Sequence, residues 1–268
     1  MFENDNYRLG FGTYSLTGED GTATIETAIE AGFRHVDTAR LYENESEVGD
    51  ALDQASVDRE DLFVATKVAH FEEPEKTPEY VRSAVEESLD RLGVDTIDLL
   101  YHHWPRGRDD IDTVLPVLEG FVEDGRVERL GVSNYTIEDV DHACDLIDIP
   151  LYANQVEIHP LLQQEELRSH LRDNDMYAVA YSPLAQGKVF DVPELQDVAE
   201  KHETAPAAVS LAWLLAQDGV AAIPRTSSEE HIRVNLAARD LELDEEDMET
   251  IASIEWTVRC EDPNWMEW

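Results

Sequence analysis

Eight times along the chain, a short run of apolar and often β-branched residues gives way to a longer stretch whose apolar positions recur at helical spacing. The runs near Leu9–Thr13, His35–Thr38, Leu62–Lys67, Ile97–His103, Val127–Val132, Ala153–Glu157, Ala178–Ser182 and Val220–Ile223 read as strands. Helices are expected near Thr22–Ala31, Ser46–Ala55, Pro78–Leu92, Asp112–Asp124, Ile137–Leu146, Gln164–Arg172 and Glu229–Ala237, with one or two between Pro193 and Ala216. Thr77-Pro and Thr136-Ile-Glu-Asp carry helix-start chemistry. Strands this apolar need cover on both faces, which alternating helices provide. Eight such units in 268 residues fit an α/β fold, a single-domain (β/α)8 TIM barrel spanning 1–268, with its active site at the carboxyl ends of the strands. Asp244–Ile254 adds a C-terminal helix beyond the eighth unit, and the tail Cys260–Trp268, with Trp265 and Trp268, is placed either over the barrel mouth or as a loose terminus.

Composition narrows the functional classes. The chain has 60 Asp+Glu against 20 Lys+Arg, a formal charge of −40, and its four lysines are Lys67, Lys76, Lys188 and Lys201. Acidity spread in this way resembles the proteome of a halophile, because molar salt screens the self-repulsion while the charge preserves solubility. It argues against nucleic acid and anionic membranes as partners. No apolar run approaches the roughly 18 residues of a membrane span, and Met-Phe-Glu-Asn-Asp lacks the basic then apolar order of a signal segment, so a cytoplasmic location is expected. Cys144 and Cys260 lack metal-ligand spacing and are assigned no function, and no metal is expected.

Four polar residues stand at the mouths of three of these strands: Asp37, Tyr42, Lys67 and His103. Each has an ordinary structural explanation alone, but together they form an acid–base set. A phenol is a weak proton donor at neutral pH unless a nearby ammonium lowers its pKa, and Lys67 would supply that charge. A lysine buried at a barrel mouth needs an anion beside it, for which Asp37 is suited. His103 would orient a substrate carbonyl. Such a set suits protonation of a carbonyl oxygen as hydride reaches its carbon.

The stretch from Gly32 to Gly49, Gly-Phe-Arg-His-Val-Asp-Thr-Ala-Arg-Leu-Tyr-Glu-Asn-Glu-Ser-Glu-Val-Gly, resembles the first signature of the aldo-keto reductases, and the similarity runs over nearly the whole chain. The resemblance maps the family's catalytic tetrad onto Asp37, Tyr42, Lys67 and His103. His103 is chosen over His102 because Trp104-Pro105 follows it and because neighbours on a strand face opposite ways. The resemblance implies a nicotinamide cofactor: Thr13 at the site, Ser133, Asn134 and Gln155 on the carboxamide, Tyr181 stacked on the ring, Ser182 and Leu184 along the pyrophosphate. No Gly-x-Gly-x-x-Gly is present, as befits a barrel.

In Ile223-Pro-Arg-Thr-Ser-Ser-Glu-Glu-His-Ile-Arg-Val-Asn, Arg225 and Thr226 match the family's 2′-phosphate grip and Asn235 its adenine contact, but His231 stands where a second arginine is usual. A largely neutral histidine grips phosphate less well, so NADPH is expected with NADH tolerated. Tyr14 and Trp104 would wall the substrate pocket, while Ala69 stands where many relatives carry tryptophan after the lysine. A shallow, open pocket for small or polar aldehydes, ketones and keto sugars is expected, as in the 2,5-diketogluconate reductase-like prokaryotic branch. The expected protein is a monomeric NADP(H)-dependent alcohol/aldehyde oxidoreductase acting on a small-molecule carbonyl. Two rivals are a non-catalytic nicotinamide-binding regulatory subunit and a metal-dependent barrel hydrolase using His102, His103, His159 and Asp37; the first strand lacks the His-x-His that the latter needs.

Overall fold

The computed structural model describes residues 5–73, 76–263 and 266. Eight parallel strands follow one another in chain order around a sheet: β1 (Phe11–Gly12), β2 (His35–Asp37), β3 (Phe63–Val68), β4 (Leu99–His102), β5 (Leu130–Ser133), β6 (Leu151–Glu157), β7 (Tyr177–Tyr181) and β8 (Val220–Ala222). A parallel bridge from Leu9 to Ala222 closes the ring, extended by Gly10 N–H to Ala222 O at 2.8 Å and Gly12 N–H to Pro224 O at 3.0 Å. Closure is tight enough to require glycine at 12, because a Cβ there would sit 2.9 Å from the Ile223 carbonyl oxygen.

Ten α-helices cover the outside among the described residues: α1 (Gly18–Ala31), α2 (Glu45–Gln54), α3 (Pro78–Leu92), α4 (Arg108–Glu123), α5 (Ile137–Leu146), α6 (Glu165–Asp173), α7 (Pro193–Lys201), α8 (Pro206–Ala216), α9 (Glu229–Ala237) and α10 (Glu245–Ala252). The Pro193–Ala216 stretch is therefore two helices, broken at His202–Ala205, where Glu203 takes a positive φ just before Pro206. The predicted caps are present: the Thr77 hydroxyl accepts from Tyr80 N–H at 3.2 Å, and Thr136 and Asp139 form a reciprocal capping box. Helices α1 and α4 each begin four residues before the expected start, because their first turns are acidic (Glu19 and Asp20; Asp109 and Asp110), favoured by the helix dipole while carrying no apolar periodicity. A kinked 3-10 segment, Ala185–Asp191, follows β7 and had no counterpart in the sequence reading.

Alternation along the strands separates two cores. Phe63, Ala65, Leu99, Tyr101, Ala153, Tyr177, Val179, Ala221 and Ile223 fill the barrel, while a larger apolar layer lies between strands and helices. No helix among the described residues is long and apolar enough to cross a membrane.

Candidate active site

The interior alternation that buries Phe63 and Ala65 also turns Lys67 inward, and the same rule on β2 turns Asp37 inward; each is 1% exposed. Lys67 Nζ donates to Asp37 Oδ1 and, at 2.7 Å, to the Thr38 carbonyl. The other Asp37 oxygen accepts from Gln155 Nε2 at 2.8 Å. Such a pair keeps its charges only because nearly every donor and acceptor is met. Burial still draws the Lys67 ammonium below its usual range, against the opposing pull of Asp37.

Tyr42 ends a 3-10 turn, Arg40–Tyr42, just past β2. The loop is pinned by the buried Asn44 amide, which donates to Thr13 O (2.8 Å) and Leu16 O (2.9 Å) and accepts from the Thr38 hydroxyl (3.0 Å). Lys67 Nζ lies 5.2 Å from the centre of the Tyr42 ring. The His103 ring meets it edge-on at 6.0 Å, with Nδ1 buried and without a hydrogen-bond partner among the described residues. Burial, then the nearby ammonium of Lys67, hold His103 well below the usual histidine range, so it is neutral.

The expected acidification of Tyr42 by Lys67 does not occur in this state. Burial first, and the Asp37 charge next, push the phenol up. Two of the three Nζ protons are committed to Asp37 and Thr38, and it is the Asp37 charge, not the Lys67 ammonium, that the ring feels. His102 faces outward, as alternation requires, its Nδ1 bonded to the Tyr135 hydroxyl at 2.7 Å.

A cavity of about 960 Å³ opens above these groups. Its wall includes Thr13, Tyr14, Asp37, Tyr42, His103 and Trp104, and, across the mouth, Ser133, Asn134, Gln155, Tyr181, Ser182, Leu184 and Arg225. Polar groups from seven strand ends thus face one space.

The family model for the Aldo/keto reductase family matches residues 8–255. The chain belongs to the aldo/keto reductase family. It is 37% identical over 247 residues to the glyoxal reductase of Bacillus subtilis strain 168, covering 92% of this chain and 88% of that protein. It is 34% identical over 253 residues to the methylglyoxal reductase DkgA of Escherichia coli K12, covering 92% and 89%. Among solved structures, an aldo-keto reductase from a Medee basin deep-sea metagenome superposes with a TM-score of 0.88 at 30% identity, covering 96% of both chains. A candidate 2,5-diketo-D-gluconic acid reductase B gives 0.88 at 32%, covering 97% of this chain and 90% of that one. The chain is accordingly an oxidoreductase of the carbonyl-reducing type.

The residues of this reductase fit a nicotinamide cofactor unevenly. On the carboxamide side, Ser133, Asn134 and Gln155 are gathered but bonded to the protein: Ser133 Oγ donates to Gln155 O (2.8 Å) and Asn134 Nδ2 to His103 O (3.2 Å). The Tyr181 hydroxyl donates to Asn134 Oδ1 at 2.8 Å, which fixes the ring as a cavity wall. On the outer rim, Asn235 Nδ2 is buried and unpartnered among the described residues, a donor that an adenine ring nitrogen would satisfy. Arg225 is exposed, its guanidinium bonded to Tyr14 O (2.9 Å) and Ser15 Oγ (2.8 Å). Thr226 is spent on a turn, its hydroxyl accepting from Ser228 N–H. His231 sits exposed in the first turn of α9, outside the cavity wall with Thr226 and Asn235. Arg233, two residues on, pairs with Glu229 and not toward this rim.

The C-terminal segment adds a wall to the pocket of the reductase. Cys260, Glu261, Asp262 and Pro263 fold back as one wall, held by the Glu157 carboxylate, which accepts from the backbone N–H of Cys260 (2.6 Å) and Glu261 (2.8 Å) and from His159 Nε2 (2.9 Å). Trp265 and Trp268 lie outside the described residues. His70, Phe71, Gln186 and Phe190 also line the cavity and were missed. His70 had a legible signal, since it lies three residues past Lys67 at the same strand mouth; the others arrive through loops whose course the sequence pattern does not specify.

Proposed function

We propose that this reductase converts small aldehydes, ketones or keto sugars, vicinal dicarbonyls among them, to alcohols, using NADPH and tolerating NADH. The observation that carries the reading is the placement of the Tyr42 and His103 rings against one cavity directly over the buried Asp37–Lys67 pair. Reduced nicotinamide, when bound, supplies hydride to the carbonyl carbon. Tyr42 holds the proton that the carbonyl oxygen takes. A buried phenol of raised pKa still serves, because the alkoxide formed as hydride arrives is a far stronger base than a phenolate. The phenolate left behind then lies beside Lys67, whose third N–H can turn to it, so the ammonium stabilises the product state more than the resting one. Neutral His103 donates a hydrogen bond to the same oxygen and fixes its position without competing for the proton. Tyr181 and its bond to Asn134 support a flat wall on which the nicotinamide would rest. Arg225 is the guanidinium suited to a 2′-phosphate, and a histidine at 231 in place of a second arginine supports a relaxed choice of cofactor.

The test is NAD(P)H oxidation followed by absorbance in molar potassium chloride, with a panel of small carbonyls. Turnover is expected, faster with NADPH than NADH. A single burst of oxidation without turnover would instead support a non-catalytic binding subunit.

A further inference from the structure

Beside the catalytic pair stands a histidine that carbonyl reduction does not require. His70 follows β3 by two residues, is 5% exposed and lines the cavity. Three aromatic neighbours fix its ring: Phe71 at 4.2 Å between centroids, His103 at 4.6 Å and Trp104 at 5.8 Å. Its Nδ1 accepts the backbone N–H of Glu72 at 3.2 Å. In a neutral imidazole an accepting Nδ1 puts the proton on Nε2. Nε2 makes no hydrogen bond among the described residues and is not one of the buried atoms left without a partner, so the ring offers an accessible donor at the cavity wall, one ring away from His103.

A substrate with one carbonyl has a single oxygen to place, and Tyr42 with His103 occupies it. A vicinal dicarbonyl has a second oxygen on the adjoining carbon, separated from the first by about the length of a hydrogen bond, ~3 Å. We propose that His70 forms a second-oxygen subsite in this reductase, its Nε2–H binding the carbonyl beside the one reduced and thereby favouring vicinal dicarbonyls. The inference rests on the reductase reading above and adds the group that selects within its substrate range. Burial, reinforced by the charge of Lys76, lowers the His70 pKa to about 4, which keeps the ring neutral and its tautomer defined near pH 7. An unmet donor in such a wall discriminates against a ligand lacking the matching oxygen.

Methylglyoxal and propanal test this cleanly, since they differ by one oxygen in place of two hydrogens. Steady-state kcat and KM for both are measured with the full chain and NADPH, for the parent, His70→Phe and His70→Gln. The phenylalanine keeps the ring contacts and lacks the donor; the glutamine amide restores a donor near the Nε2 position. The parent is expected to prefer methylglyoxal in kcat/KM. His70→Phe should lose about ten-fold more on methylglyoxal than on propanal, chiefly through KM, and His70→Gln should recover most of that difference. Equal losses on both substrates, or a glutamine variant as impaired as the phenylalanine one, would overturn the subsite while leaving the reductase reading standing. A parent that turns over neither substrate would overturn both.

Discussion

The mouths of β2, β3 and β4 and the rim formed by β8 and α9 both present basic groups to a ligand, yet they are built on opposite terms. Lys67 is buried, paired and bonded to two oxygens before any ligand arrives. Arg225 and His231 lie in solvent, Arg225 parked on Tyr14 and Ser15 by bonds that a phosphate would have to displace. The first region bears its desolvation cost at folding and is rigid afterwards; the second defers ordering to binding. Effects at the catalytic mouth should therefore be large and insensitive to salt, and those at the rim small and screened.

The largest effect is expected from Tyr42→Phe. Loss of the proton donor should lower kcat by about a hundred- to ten-thousand-fold with little change in NADPH affinity. Near-normal turnover in that variant, read by NADPH absorbance, would remove Tyr42 from its role. Next comes Asp37→Asn, which leaves the Lys67 ammonium buried without its partner and frees one Gln155 N–H. A destabilisation of about 3–5 kcal/mol is expected from denaturant titration; a loss under 1 kcal/mol would show the pair to be replaceable.

At the rim, His231→Arg should tighten NADPH relative to NADH by roughly three- to ten-fold at low salt, shrinking at molar salt because the site is exposed. Fluorescence titrations with both cofactors decide it, and equal effects on the two would show that α9 does not meet the 2′-phosphate.

The smallest effects per group concern the whole surface. Of the four lysines, Lys67 and Lys76 are buried and Lys188 half-buried, leaving Lys201 exposed among 60 acids. Melting temperature should rise between about 0.1 and 3 M potassium chloride as the Debye length shortens. Acid should not substitute for salt. His70 and His102 are held neutral by burial, with pKa values lowered to about 4 and about 3. Below the unfolded value of about 6.5 the unfolded chain binds protons that the folded chain refuses, so stability falls as pH drops from about 6.5 toward 3–4. A melt that rises over that interval would mean carboxylate repulsion outweighs these histidines.

The barrel and the inward placement of Asp37, Lys67 and His103 were legible because both depend on strand periodicity. Once His35, Val36 and Asp37 are a strand, alternation decides which of them faces inward, and the same holds for Lys67 and for His103 over His102. The electrostatics of Tyr42 were not legible, since the direction of its pKa is set by how completely the ring is buried and then by how close the Asp37 charge lies, a matter of ångströms. The tail wall was also hidden: Cys260 and Glu261 are held through backbone N–H groups, which leave no mark on residue identity. The Ala185–Asp191 turn, with positive φ at Gln186 where glycine would be usual, likewise broke the expected code.

That backbone clasp separates anchoring from selectivity. Glu157 grips the tail by atoms that every residue except proline possesses, so this grip survives exchange of the side chains at 260 and 261, which costs only their bonds to Lys188 and Gln186. Two residues earlier on the same strand, Gln155 steadies Asp37. A lineage could therefore rewrite one wall of its pocket, changing which molecules enter, without touching the strand that keeps the chemistry in place.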